Sequence, residues 1–378
     1  MRFVLDCCGV AGSGEGMRNA APTGLDLGLI AAATRRHGIA PLIAPHLSLI
    51  ADQARDDVAI RAIRSNANAN ALRNKYLVEQ LATVLNAFAR RNIEALVIKG
   101  PALAEVAYGA IGLRSFGDLD IVIRPDDVPQ AAGALAGLGF GSALYDEAVF
   151  RSRWFDAVEA NFQRADDRLN LDLHWALAPR AFAFGPSGEA LWQRSIGIEV
   201  DGVKVRTLSH EDHLLYIAVH HTRHGWDALS QVCDIAFLIK RVPLDWDVLL
   251  ERASTTRCAR MLAVALWLAH DLLDAPIPPA ALAPARRDDR AVRIAAQLGD
   301  ELTRDDEPGG GRQRALRRAL RLVESPIDRV RVIVISAFIP TLMDRRWLRL
   351  PRGFDWAYYL LRPIRIALAL ARTAGRQA

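Results

Sequence analysis

Asp118 and Asp120 are the first residues in this chain whose types and spacing could do chemistry. They precede the β-rich run Ile121-Val122-Ile123. Strand side chains alternate faces, so carboxylates at i and i+2 point the same way. Two carboxylates held side by side repel one another, and a hard cation such as Mg²⁺ relieves that repulsion. A further carboxylate, Asp172, sits in Leu169-Asn-Leu-Asp-Leu-His-Trp175. There Leu169, Leu171, Leu173 and Trp175 share one strand face, and Asn170, Asp172 and His174 share the other. An Asp-bearing strand placed after an Asp-x-Asp strand is what a third metal-site carboxylate needs. The competing reading of Asp172 is a solvent-facing strand residue.

The elements that must position these groups are legible around them. Ala95 to Ile98 is an apolar run long enough for a buried strand. Lys99-Gly100-Pro101 breaks it, and Pro is tolerated in a first helical turn because its missing N–H would be unpaired there. Leu103, Val106 and Ala107 continue at helical spacing, and Arg114 stands four residues before Asp118. Residues 157–163 and 169–175 alternate on either side of the turn Ala165-Asp-Asp-Arg168, a hairpin signature. A second short hairpin is expected around Asp201-Gly202. Upstream, Ala71 to Arg90 reads as a helix with the stripe Leu72, Leu77, Leu81, Leu85 and Phe88. Downstream, Ser209-His-Glu-Asp212 has the form of a capping box. The helix it opens places His213, His220 and His224 along one face, with His221 adjacent, and Gly225 can end it. The next helix, near 227–241, carries Asp234. The imidazoles could bind a transition metal, contact substrate or nucleotide phosphates, or serve as hydrogen-bonded structural groups.

The strand, the Lys99-Gly100 turn, a spacer and Asp118-Leu-Asp120 flanked by apolar residues resemble the DNA polymerase β-like nucleotidyltransferase superfamily. Lys99-Gly100, the Arg114 lead-in, Asp172-Leu-His-Trp175 and the His-rich helix followed by Asp234-Ile-Ala are similar to its bacterial "nucleotidyltransferase family protein" branch. The resemblance is strongest over about 93–240 and implies an α+β fold: a small mixed β-sheet core flanked by an N-terminal helical segment and a larger C-terminal helical domain. It implies two Mg²⁺ ions (or Mn²⁺) on Asp118, Asp120 and Asp172, with Asp172 serving the attacking hydroxyl. The nucleotide would be an NTP, with ATP the expected one, bound at Lys99, Gly100 and Arg114. His174, His213, His220, His224 and Asp234 are the candidate substrate or nucleotide contacts. The acceptor would be a small molecule, a peptide or a protein. One departure stands out: the superfamily has Gly-Ser or Gly-Gly at the turn, whereas here Gly100 is followed by Pro101. The alternative is a catalytically weak, nucleotidyltransferase-like binding or regulatory protein, antitoxin-like or accessory to a biosynthetic cluster.

Composition bounds the rest. The 378 residues are 51% hydrophobic and 24% charged, a globular balance with length for more than one domain. Cys7, Cys8, Cys233 and Cys258 make no C-x-x-C, which suits a reducing, cytoplasmic setting. No signal peptide and no spanning helix are expected. Gly12-Ser-Gly-Glu-Gly16 lacks the strand and Lys-Ser/Thr of a phosphate loop. Ser195 and Ser209 lack a G-x-S-x-G setting.

Expected segments are a disordered N-terminus at 1–22, a helical segment at 23–92, the nucleotidyltransferase-like core at 93–208, a helical domain at 209–305 and an Arg-rich helical tail at 306–378. Residues 311–378 carry 15 Arg, no Lys and four acids, a net +11, so the rest of the chain is net −6. Such a tail can be a solvated helical face, or it can meet nucleic acid, acidic lipid or a phosphorylated ligand. Nucleic acid is not the expected partner, because no separate basic module with interleaved aromatics flanks the core. Peripheral contact of the tail with the inner membrane face is the remaining alternative to packing.

Overall fold

The computed structural model describes residues 1–9, 26–49, 58–143, 145, 147–150, 155, 158–304, 312–351 and 353–374. The chain is α+β. In order it forms α1 (Arg2–Cys8), α2 (Leu27–His37), α3 (Ala40–Ile43), α4 (Val58–Ala89), β1 (Ala95–Val97), α5 (Gly100–Leu103), β2 (Asp118–Ile123), α6 (Val128–Gly137), β3 (Phe140–Gly141), α7 (Glu147–Phe150), β4 (Glu159–Arg164) and β5 (Asn170–His174). There follow α8 (Glu189–Arg194), β6 (Ile196–Val200), β7 (Val203–Thr207), α9 (His210–His224), α10 (Leu229–Arg241), α11 (Trp246–Thr255), α12 (Ala259–Leu273), α13 (Pro279–Arg287) and α14 (Asp289–Thr303). The last elements are α15 (Arg312–Leu322), α16 (Pro326–Phe338), α17 (Leu342–Trp347) and α18 (Tyr358–Ala374). Strands β1 to β5 make one mixed sheet in the order β1-β2-β5-β4-β3, and β6 and β7 make a separate pair.

The chain packs as two compact units that interleave along the sequence: Met1–Thr83, Leu96–Leu119 and Gly185–Val323 in one, Val84–Ala95, Asp120–Phe184 and Glu324–Ala378 in the other. The sequence reading divided the chain end to end at 22, 92, 208 and 305.

In the first unit, α9 starts as its sequence dictates: the Ser209 side chain accepts the Asp212 N–H, and Gly225 ends the helix at φ 84°. The β6–β7 turn places Asp201 and Gly202 at φ 46° and 83°, the left-handed pair that matches strand twist in a two-residue hairpin. Thr207 Oγ1 donates to the Val97 carbonyl at 2.6 Å. Two expectations are corrected here. Residues 2–8 form a helix with Phe3, Val4, Cys7 and Cys8 buried, because that short stretch carries enough apolar surface to join a core. Residues 10–25, with Gly12–Gly16, lie outside the described residues. Leu72 is 74% exposed, two residues from Asn70 and Asn74 and so on the far side of α4 at 100° per residue. The inner side of α4 is instead marked by Ile60, Ile63, Asn74, Leu77, Val78 and Leu81.

In the second unit, β4 and β5 pair antiparallel, with Glu159 opposite His174 and Asn161 opposite Asp172. Leu169, Leu171 and Leu173 are buried, as the period-2 pattern requires. The C-terminal segment folds onto its own anchor. Asp344 accepts from Arg362 Nη1 at 2.6 Å, Arg365 Nε at 2.5 Å and the Thr341 N–H at 2.7 Å. Tyr358 hydroxyl donates to the Leu348 carbonyl and accepts the Leu350 N–H. Among the described residues no helix is long and apolar enough to cross a membrane.

Candidate functional site

Asp120, Asp172 and His174 each offer a ligand atom, and these atoms lie within 4.8 Å of one another. The sheet explains the grouping: β2 and β5 are neighbours, and Asp172 and His174 leave the same face of β5. Asp120 is 1% exposed. A carboxylate so buried persists in its charged form only with a compensating charge. His174 supplies one, its Nε2 standing 3.1 Å from Asp120 Oδ1 and its Nδ1 3.1 Å from Glu159 Oε2. Burial opposes a charged imidazole, but hydrogen bonds to the two carboxylates and their negative charge outweigh it, raising its pKa to about 9. That balance favours the charged ring, with Nε2 hydrogen-bonded to Asp120 and Nδ1 in an ion pair with Glu159. Asp172 accepts from Asn161 Nδ2 at 2.8 Å. Burial, with Asp120 and Glu159 adding negative charge, raises its pKa, and the Asn161 hydrogen bond opposes the rise.

Of the three carboxylates expected to hold metal, the structure groups Asp120 with Asp172. Asp118 leaves β2 two residues earlier, from the same face as Asp120. His174, expected as a substrate contact, stands with these two carboxylates in a group that could hold a metal ion. Glu159 and Asn161 were missed. The alternation of β4 exposes the signal, because a hairpin register sets Glu159 against His174 and Asn161 against Asp172.

The first unit carries the other expected residues. Arg114 donates to Asp234 through Nε at 2.8 Å and Nη2 at 3.0 Å, a bidentate pair. Tyr108 hydroxyl donates to the same carboxylate at 2.8 Å, with its ring stacked on Phe237. His221 Nε2 stands 3.3 Å away. Burial alone would raise the Asp234 pKa, but the Arg114 charge and these contacts hold the carboxyl well below the usual range. The Arg114 carbonyl is held as well, accepting from Asn74 Nδ2 at 2.8 Å and Asn70 Nδ2 at 3.3 Å. Asn74 also donates to the Ile111 carbonyl and Arg73 to that of Gly117, so α4 grips the loop leading to Asp118. None of these α4 residues was singled out from sequence. Their signal is an Asn-rich run inside a helix, where Asn is intrinsically poor.

The histidine face is not uniform. His213 is fully buried, and burial lowers its pKa to about 4. His220 is half-buried and His224 exposed, with ring centroids 4.4 Å apart. Burial lowers both pKa values, and Lys99 is among the positive charges that add to the effect. Gly100 has φ +49°, and a Cβ placed there would stand 3.2 Å from the Asp118 carbonyl oxygen. Glycine is required at this turn by both the backbone angle and the close approach of the chain leading to the Asp pair.

In comparisons with known proteins, the profile of a family described as uncharacterised nucleotidyltransferase matches residues 23–274. Among solved structures, an antigenic nucleotidyltransferase-like protein from Paracoccidioides brasiliensis is similar at 16% identity and a TM-score of 0.33, covering 57% of this chain and 98% of that one. No curated protein matches the chain.

Proposed function

The chain belongs to the uncharacterised nucleotidyltransferase family, and from that premise we propose that it is a metal-dependent enzyme moving a nucleoside monophosphate from an NTP, with ATP the first candidate, to a hydroxyl on a small-molecule, peptide or protein acceptor. The observation that carries this reading is the buried Asp120–Asp172–His174 group. Its two carboxylates fit a divalent cation, one of them removed from water and dependent on a counter-charge. Asp118, Asp120 and Asp172 would hold Mg²⁺ or Mn²⁺. When bound, such an ion supplies charge neutralisation for the triphosphate and activation of the acceptor oxygen.

The chain's own residues have distinct tasks in this scheme. Asp172, its pKa raised, would accept or share the proton of the acceptor hydroxyl, and Asn161 fixes its orientation. His174 holds Asp120 in place and keeps it charged. Lys99 would meet the negative charge developing on pyrophosphate. Asp234, Tyr108 and α4 hold Arg114 from both ends, so its guanidinium would be positioned without rearrangement.

A second reading is favoured by Gly100-Pro101. Both residues are buried, Pro101 offers no N–H, and Gly100 already packs against the Asp118 carbonyl. A turn so used would leave less backbone for phosphates, as in a catalytically weak nucleotide-binding protein. One experiment separates these. The protein is titrated with Mn²⁺ and each NTP, and pyrophosphate is followed with and without a cell extract as acceptor source. Asp120→Asn is the control. Metal-dependent pyrophosphate release that Asp120→Asn lowers at least a hundredfold supports transfer. Nucleotide binding without release supports the second reading. No binding of any NTP with metal present overturns both.

A further inference from the structure

The C-terminal helices of the second unit wear their hydrophobic residues on the outside. In α16, Ile327, Val330, Val334 and Phe338 recur at i, i+3, i+7 and i+11, one helical stripe, and all are exposed, Ile327 at 80% and Val330 at 61%. The buried residues of the same helix are Asp328 and Val332. In α18, Leu360, Ile364 and Leu368 make a second exposed stripe at i, i+4 and i+8. Between them Met343, Trp347, Phe354 and Trp356 are exposed as well. A soluble surface scatters such residues singly, and a run of this kind marks a docking face.

Charge identifies the occupant. Of the acids here, Asp328 and Asp344 are buried and paired with arginines and Asp355 is half-buried, whereas Arg346 and Arg349 are exposed among the apolar residues. An open groove of about 320 Å³ is lined by Met343, Trp347 and Leu368 together with Arg346 and Arg365. It thus pairs an apolar floor with the exposed Arg346, Arg365 being tied to Asp344. Aromatic residues beside outward arginines are the chemistry of an interfacial surface on anionic lipid. A second copy of the chain would set these arginines against their own kind.

We propose that the face formed by α16, α17 and α18 docks on an anionic lipid surface, with the apolar stripes in the headgroup boundary and Arg346 and Arg349 on lipid phosphates. The docking is peripheral, and it places the proposed transfer reaction at a membrane.

The test is co-sedimentation of the full chain with phosphatidylcholine vesicles alone or containing about one quarter phosphatidylglycerol, at low and high salt, with light scattering on the protein alone. Binding is expected to the anionic vesicles only. It should fall about fivefold when Arg346→Ala removes one charge near the surface, the equivalent of about 1 kcal/mol. It should fall at least tenfold in Val334→Glu and in Trp347→Glu, exposed positions where the folded circular-dichroism spectrum is retained. Three results would overturn the proposal. One is absence of binding to anionic vesicles. Another is binding indifferent to all three substitutions. The third is a dimer in solution that Val334→Glu dissociates while vesicle binding stays at background, which would assign the face to a second copy.

Discussion

The pair Arg114–Asp234 makes the sharpest energetic prediction. Asp234 accepts three hydrogen bonds, from Arg114 Nε at 2.8 Å, Arg114 Nη2 at 3.0 Å and Tyr108 hydroxyl at 2.8 Å, and the two ionic side chains are 15% and 3% exposed. Replacing Asp234 with Leu strands a largely buried guanidinium and a buried phenol. Replacing Arg114 with Met strands a buried carboxylate. Removing one partner of such a pair costs about 3–5 kcal/mol, whereas replacing both by apolar groups of similar volume is often near neutral. The double variant Arg114→Met/Asp234→Leu is therefore expected to be more stable than either single one, with a coupling energy of about 2 kcal/mol or more. The assay is urea unfolding of all four proteins at pH 7.5, followed by circular dichroism. Single costs that simply add, within about 0.5 kcal/mol, would refute the claim that the two side chains share one buried network. The double variant also separates two roles of Arg114. If it keeps its fold and its transfer activity, Arg114 is structural. If the fold survives and the KM for NTP rises, Arg114 serves the nucleotide.

Two further outcomes follow from particular groups. His37 Nδ1 accepts the Leu229 N–H at 3.1 Å, which requires an unprotonated nitrogen at the first residue of α10. Burial, aided by Arg36, lowers the His37 pKa to about 4, and burial lowers that of His213 to about 4. Between pH 6.5 and 4 the unfolded chain binds protons that these folded histidines refuse. Stability of the first unit should therefore fall with acidification by about 1.4 kcal/mol per pH unit for each. Urea midpoints measured across that window check this, and His37→Gln should reduce the slope by about one proton's worth. The raised pKa of His174 acts on the other side of neutrality and in the other unit, its stabilisation being present below pH 6.5 and lost as pH rises toward 9. Separately, Gly100→Ala forces a side chain into φ +49° and within 3.2 Å of the Asp118 carbonyl. A cost of about 1–2 kcal/mol from the left-handed backbone alone should appear as a lower melting temperature, and metal affinity should drop with it because Asp118 must shift.

How much of this was legible in the sequence depended on whether the signal was periodic and local. The β4–β5 hairpin, the β6–β7 turn and the Ser209 cap follow from two-residue alternation, a left-handed dipeptide and an N-cap, each a short-range rule, and all three stand in the structure. The carboxylates Asp120 and Asp172 could be matched because each sits on a strand whose faces the pattern defines. What was not legible is pairing across long separations. Nothing near Asp234 announces Arg114, 120 residues away, and nothing near Asn74 announces the carbonyls it holds 37 and 40 residues on. The apolar stripe of α16 does not tell in sequence which way it faces. Only the structure turns it outward, by burying Asp328 on the opposite side.

These long-range pairings share a physical logic. All but the exposed Asn161–Asp172 pair place a charged or amide side chain where loss of its partner would leave a buried polar group unsatisfied. In the first unit, Asn74 and Asp234 fix the backbone and the guanidinium of Arg114. In the second, His174 and Asn161 fix Asp120 and Asp172. Preorganisation of this kind is what nucleotidyl transfer would ask of the protein, because the chemistry is mostly positioning and charge. It also predicts where substitutions should be felt. Asn161→Ala would leave the fold intact, since Asn161 is exposed on β4, yet free the Asp172 carboxylate to rotate. Its effect should fall on the rate of transfer and scarcely on melting temperature. A loss of stability without a loss of rate would place Asn161 in the scaffold instead.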